Sequence, residues 1–120
     1  MGNVEEKLAA SGYEKIRRNK WINGNRVVQV EHSVDYGRNH LRIWWKEVWR
    51  DYYAIVFDYS RADGPICAVP CSDLFRSSFV NVKRRQESYE NSGDWWSQRF
   101  PINHELVRLV LSFKNRWDIL

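Results

Sequence analysis

Apolar and polar residues alternate in short runs along most of the chain, with turn-forming residues between the runs. Val28, Val30 and Val34 fall on one side of a two-residue repeat and Gln29, Glu31 and Ser33 on the other, which predicts a half-buried strand over 27–34. The preceding Asn23-Gly24-Asn25 favours a tight turn, because these residues tolerate positive φ, so this strand should form a hairpin with the segment ending at Ile22. Leu41, Ile43, Trp45 and Trp49 alternate against Arg42, Trp44 and Lys46, predicting a further strand. The run from Tyr52 to Phe57 is apolar on both faces, as a central strand is. After a turn over 60–64, Pro65 to Val69 should return beside it.

Helical spacing occurs at three places. Asn3 can cap a short helix with Glu6 three residues on, Val4 and Leu8 share a face, and Gly12 can end it in a left-handed conformation. Ser72-Asp73 resembles a helix start, with Leu74, Phe75 and Phe79 facing inward. Pro101 to Asn103 opens a last helix whose Leu106, Leu109, Val110 and Phe113 form one stripe. Asn81 to Gly93 is polar and basic, which predicts a mobile loop or an exposed helix. Strands between helices, with no repeat or linker, predict one α+β domain over 1–120. Its sheet should have about five mainly antiparallel strands, packed by an N-terminal and a C-terminal helix.

Composition adds further constraints. Aromatic residues make up 15% of the chain and seven are Trp, too many large rings to hide completely in one small core. Some should therefore line a cleft or a ring-rich homodimer contact. A net charge of +4 favours anionic partners. No apolar run approaches the ~18 residues of a membrane span, and the acidic start Val4-Glu5-Glu6 lacks the apolar stretch of a signal peptide, so a cytoplasmic protein without a membrane partner is expected. Cys67 and Cys71 have no second ligand pair for zinc, and in one strand they would stand ~13 Å apart, too far for a disulfide. They read as reduced thiols, with no cofactor or metal.

The sequence has no Gly-rich phosphate loop, nucleophile elbow, His-Glu-x-x-His helix or paired CxxC. What it does have is cations interleaved with rings, twice. Lys15, Arg17, Arg18 and Lys20 precede Trp21, while Lys83, Arg84, Arg85 and Tyr89 precede Trp95 and Trp96. Cations neutralise phosphates and rings stack on bases, so DNA or RNA is the partner this pattern favours. A solvated charged loop beside core tryptophans would read the same way. His32 lies on the Val28/Val30/Val34 face and reads as a core histidine, and His104 as a surface one. Of the adjacent Trp44 and Trp45, one should face the core and the other a subunit contact or pocket wall. The alternative function is therefore a dimeric binding module with a Trp-lined pocket for a small molecule or peptide.

One resemblance bears on chemistry. A helix carrying Glu5 and Glu6, a hairpin, the strand Val28-Gln29-Val30-Glu31, then Asp51 to Asp58 and Ile66 to Pro70, is similar in order to the core of PD-(D/E)XK nucleases. The resemblance covers residues 4–75 and implies a degenerate nuclease-like fold. It would put the metal-binding positions on Gln29 and Glu31, with Glu14 on the preceding strand, and Mg²⁺ as cofactor only in that case. The family's lysine is missing from this pattern, and we expect Glu14, Gln29 and Glu31 not to converge.

Overall fold

A computed structural model describes residues 2–60, 64–77 and 95–120. Helix α1 spans Gly2–Ala10. It starts one residue before Asn3, so Asn3 belongs to the first turn and is not the cap expected from the sequence. At its other end Gly12 takes φ +93°, and the Tyr13 N–H donates to the Leu8 carbonyl at 3.0 Å, so the left-handed exit does form.

The segment expected to be one arm of a hairpin is two strands, β1 (Glu14–Arg17) and β2 (Lys20–Asn23). They are joined at Arg18-Asn19, where Asn19 takes φ 67°. Asn tolerates that left-handed conformation through its short polar side chain, so a tight turn forms without a glycine. β2 then pairs antiparallel with β3 (Arg26–His32), Asn23 opposite Arg26. Gly24 supplies the positive φ at the first central position, the geometry of a type II′ turn.

The five-stranded sheet runs β1-β2-β3-β5-β6, with β5 at Ala54–Asp58 and β6 at Ile66–Pro70. It is mostly antiparallel and the fold is α+β, as predicted. The exception is β3 with β5, which run parallel from Val28 opposite Ala54 to His32 opposite Asp58. This pairing is possible because the chain leaves the sheet between them. β4 (His40–Lys46), expected as another strand of the same sheet, pairs instead with β7 (Trp95–Pro101) in a separate two-stranded layer. It ends at Lys46, and Glu47–Asp51 is a 3-10 turn that buries Trp49.

Two cores result, one on each face of the main sheet. Ile55, Phe57, Cys67 and Val69 face Leu41, Ile43, Trp45 and Phe100 of the second layer. Helices α2 (Cys71–Arg76) and α3 (Glu105–Leu111) close this core with Leu74, Leu106, Val107 and Val110. Val107 takes a place in the buried stripe, and Leu109 and Phe113 are only partly buried. On the opposite face Val28, Val30, Val56 and Ala68 pack under Val4 and Leu8 of α1. The outer edge of β6 is covered, since the Asn115 N–H donates to the Ile66 carbonyl at 2.9 Å. β1 forms the other edge, and all four of its residues are exposed.

Candidate nucleic-acid interface

The first basic cluster lies on the β1–β2 hairpin. The Lys15 ammonium sits 3.0 Å from the Glu5 carboxylate of α1. Lys20 lies over the ring of Tyr52, 5.4 Å from its centroid, and the neighbouring Arg26 over Tyr53 at 4.5 Å. Arg17 and Arg18, at the tip, are exposed, and their side chains make no hydrogen bond or ion pair among the described residues. Four other guanidinium groups are engaged locally, Arg42 with Asp35, Arg50 with Glu47, Arg76 with Asp73 and Arg116 with Asp118, while exposed Arg38, Arg99 and Arg108 have no acidic partner among the described residues. Trp21, read with this cluster as a stacking ring, is 6% exposed and belongs to the α1-side core.

The second cluster divides. Lys83, Arg84, Arg85 and Tyr89, with Phe79 and the whole segment from Asn81 to Gly93, lie outside the described residues. Trp95 and Trp96 begin β7, opposite Lys46 and Trp45; their side chains are also outside the description.

The nuclease-like candidates are spread out. Glu14 stands opposite Ile22, which stands opposite Val27, so it is two strands from β3 and four residues from the level of Glu31. At ~4.8 Å per strand and ~3.3 Å per residue, that puts roughly 16 Å between the Glu14 and Glu31 backbones. Among the described residues no group of three His, Cys, Asp or Glu could hold a metal ion. Gln29 spends its amide on the Val30 carbonyl at 3.4 Å.

Glu31 is nonetheless unusual. The alternation puts it on the polar side of the strand, but in the sheet it stands beside fully buried Phe57, partly covered. Burial pushes its carboxyl up from 4.5 to about 7, and the Lys46 ammonium from the second layer offsets only part of that.

His32 also departs from expectation. It does not sit in the core: its side chain is 44% exposed, with Nδ1 3.0 Å from Oδ2 of Asp58, itself 4% exposed. Val34, assigned to the same buried face, is 54% exposed because β3 ends at His32. The Asp58 partner was not legible in the sequence, because only the parallel register of β3 and β5 sets the two side by side. His104 caps α3, its Nδ1 accepting the Leu106 N–H at 3.0 Å, and its ring lies 4.8 Å from that of Phe100.

Trp45 is 1% exposed and packs at 6.4 Å from the Phe100 ring, so it leaves the pocket or interface set for the core. Trp44 faces the other way and is half-buried. Among the described residues, an open depression of ≈ 390 Å³ between α2 and α3 is lined by Asp73, Arg76, Ser77 and Leu109, none of them a tryptophan. Cys67 and Cys71 are unbridged and buried, and burial pushes both thiols up to about 12. No helix among the described residues is long and apolar enough to cross a membrane. The chain matches no protein-family model, no curated protein and no solved structure.

Proposed function

We propose that the protein binds single-stranded nucleic acid at the tip of the β1–β2 hairpin. One observation carries this reading: Arg17 and Arg18 are adjacent in the chain, exposed and without an acidic partner among the described residues, whereas the other exposed arginines without one, Arg38, Arg99 and Arg108, stand singly in the sequence. Two unpaired guanidinium groups on a tight turn present forks of donors that match phosphate oxygens. Half-exposed Tyr52 and Tyr53, each already facing a cation, give the neighbouring surface the mixed character of a strand-binding site.

The test is fluorescence anisotropy with labelled single-stranded RNA and DNA across a salt series. Replacing Arg17 and Arg18 with Ala should leave the fold unchanged, weaken binding and flatten the salt slope by about 1.4, at ~0.7 per phosphate contact. A parent that does not bind, or a double variant that binds as the parent does, refutes the reading.

Assembly and location belong to the same proposal. The open β1 edge, with Ile16 45% exposed, is where a second copy would add its own strand. A homodimer sediments at twice 14.5 kDa, and a 14.5 kDa species at micromolar concentration removes it. The two unbridged thiols fit a reducing, cytoplasmic setting.

A further inference from the structure

The end of the sheet that carries Arg17 and Arg18 also carries a proton-accepting pair. His32 closes β3, Asp58 closes β5, and the parallel register sets them opposite each other. The Asp58 carboxylate is held from two sides: Oδ2 lies 3.0 Å from His32 Nδ1, and Oδ1 accepts the Ser60 N–H at 2.9 Å. The backbone at this point is also tied, since the Ser33 N–H donates to the Asp58 carbonyl at 2.8 Å. With Nδ1 donating to the carboxylate, Nε2 is left as the acceptor, and the imidazole is 44% exposed. A nearly buried carboxylate that orients an open imidazole is the base-and-orienter half of an acid–base site.

The hairpin tip is next to it. The Val30 N–H donates to the Asn19 carbonyl at 2.8 Å, so the Arg18-Asn19 turn lies on the neighbouring strand, level with Val30. His32 is two residues further along β3, about 7 Å away. An anion held by Arg17 or Arg18 would sit within a side chain's reach of the imidazole.

We propose that His32, oriented by Asp58, acts as a general base toward the 2′-hydroxyl of an RNA strand whose phosphates are held by Arg17 and Arg18. This rests on the nucleic-acid reading above and adds a substrate class to it, RNA rather than DNA. Nε2 takes the 2′-hydroxyl proton, and the 2′-oxygen forms a bond to the adjacent phosphorus. The bond from phosphorus to the 5′-oxygen breaks, and that oxygen takes a proton from water. The imidazolium then returns its proton to water. The products are a 2′,3′-cyclic phosphate and a 5′-hydroxyl, with no oxidant, reductant or co-substrate consumed.

The experiment uses the full chain with a labelled single-stranded RNA in EDTA, with binding and cleavage followed in the same samples. The parent should produce cyclic-phosphate ends, and the same sequence as DNA or as 2′-O-methyl RNA should bind without being cut. A general base contributes ~10²–10⁴-fold, so His32→Asn should lose at least about 100-fold in cleavage while binding is kept. Asp58→Asn should lower cleavage while the unfolding midpoint and the affinity for the RNA stay those of the parent, which a general loss of folding would not do. A parent that binds RNA but does not cut it overturns this inference and leaves the binding reading standing. Cleavage that survives His32→Asn, or that extends to DNA, also overturns it. A parent that does not bind at all removes both.

Discussion

Glu31→Gln should stabilise this protein at alkaline pH and do almost nothing at pH 5. The carboxyl lies beside fully buried Phe57 on a face partly covered by the second layer, and its affinity for a proton rises from the ordinary 4.5 to about 7. Because the folded value is the higher one, the protonated form is the one the fold accommodates. Its contribution is fully present below about 4.5 and is lost as pH rises through about 7. At ~1.4 kcal/mol for each tenfold change in proton affinity, the gap from 4.5 to about 7 corresponds to roughly 3 kcal/mol, an upper figure given partial exposure and relaxation toward Lys46. Gln keeps the shape and removes the charge, so a gain of about 1–3 kcal/mol is expected at pH 8.5. For a domain of this size that is a rise in Tm of roughly 4–12 °C. Thermal unfolding followed by circular dichroism at pH 5.0 and 8.5 measures it. Lys46→Met should lower the Tm at pH 8.5 further than at pH 5.0, because it removes the cation that offsets ionised Glu31. Equal Tm changes for Glu31→Gln at both pH values, or none at 8.5, would show that Glu31 is solvated and the reasoning is wrong.

Three further outcomes follow from packing. A Cβ at Gly64 would come within 2.8 Å of the Tyr59 Cβ and 2.9 Å of its carbonyl oxygen, so Gly64→Ala should cost roughly 1–3 kcal/mol in chemical denaturation; an unchanged midpoint would contradict that contact. Trp45→Ala should cost roughly 3–5 kcal/mol by emptying the second-layer core, and half-buried Trp44→Ala clearly less, so equal losses would argue against the opposed orientation of the pair. Cys67 and Cys71, buried and pushed up to about 12, should stay unreactive to a thiol reagent at pH 8 until denaturant is added; rapid labelling of the folded protein would refute their burial.

Local chemistry made much of the architecture readable. The alternation at Val28 and Val30, the apolar run ending at Phe57 and the exit at Gly12 each depend on residues close in sequence, and each appears where it was expected. The Arg18-Asn19 turn escaped notice because no glycine or proline marks it, and the left-handed φ of Asn19 is a conformation that residue permits without announcing. The departure of β4 into its own layer was also hidden, since Leu41, Ile43 and Trp45 alternate equally well for either sheet. Which sheet a strand joins is decided by the partner that covers its apolar face, and β4's hydrogen-bonding partner is β7, which begins only at Trp95, far along the chain from Lys46. The basic cluster, though not the hairpin that carries it, could be found from sequence because Lys15, Arg17, Arg18 and Lys20 lie close together in the chain. The His32–Asp58 pair and the altered proton affinity of Glu31 could not, because both arise from the parallel pairing of β3 with β5 and from what lies over that pairing. Sequence alone determined the strands around Val28 and Ile55, the first and last helices to within a few residues and where positive charge would collect, since those follow from local spacing, but not β1, β2 or β7, whose Pro101 was expected to open a helix. Tertiary structure alone decided which side chains meet and which carboxyl loses its water, since burial and pairing depend on segments distant in the chain.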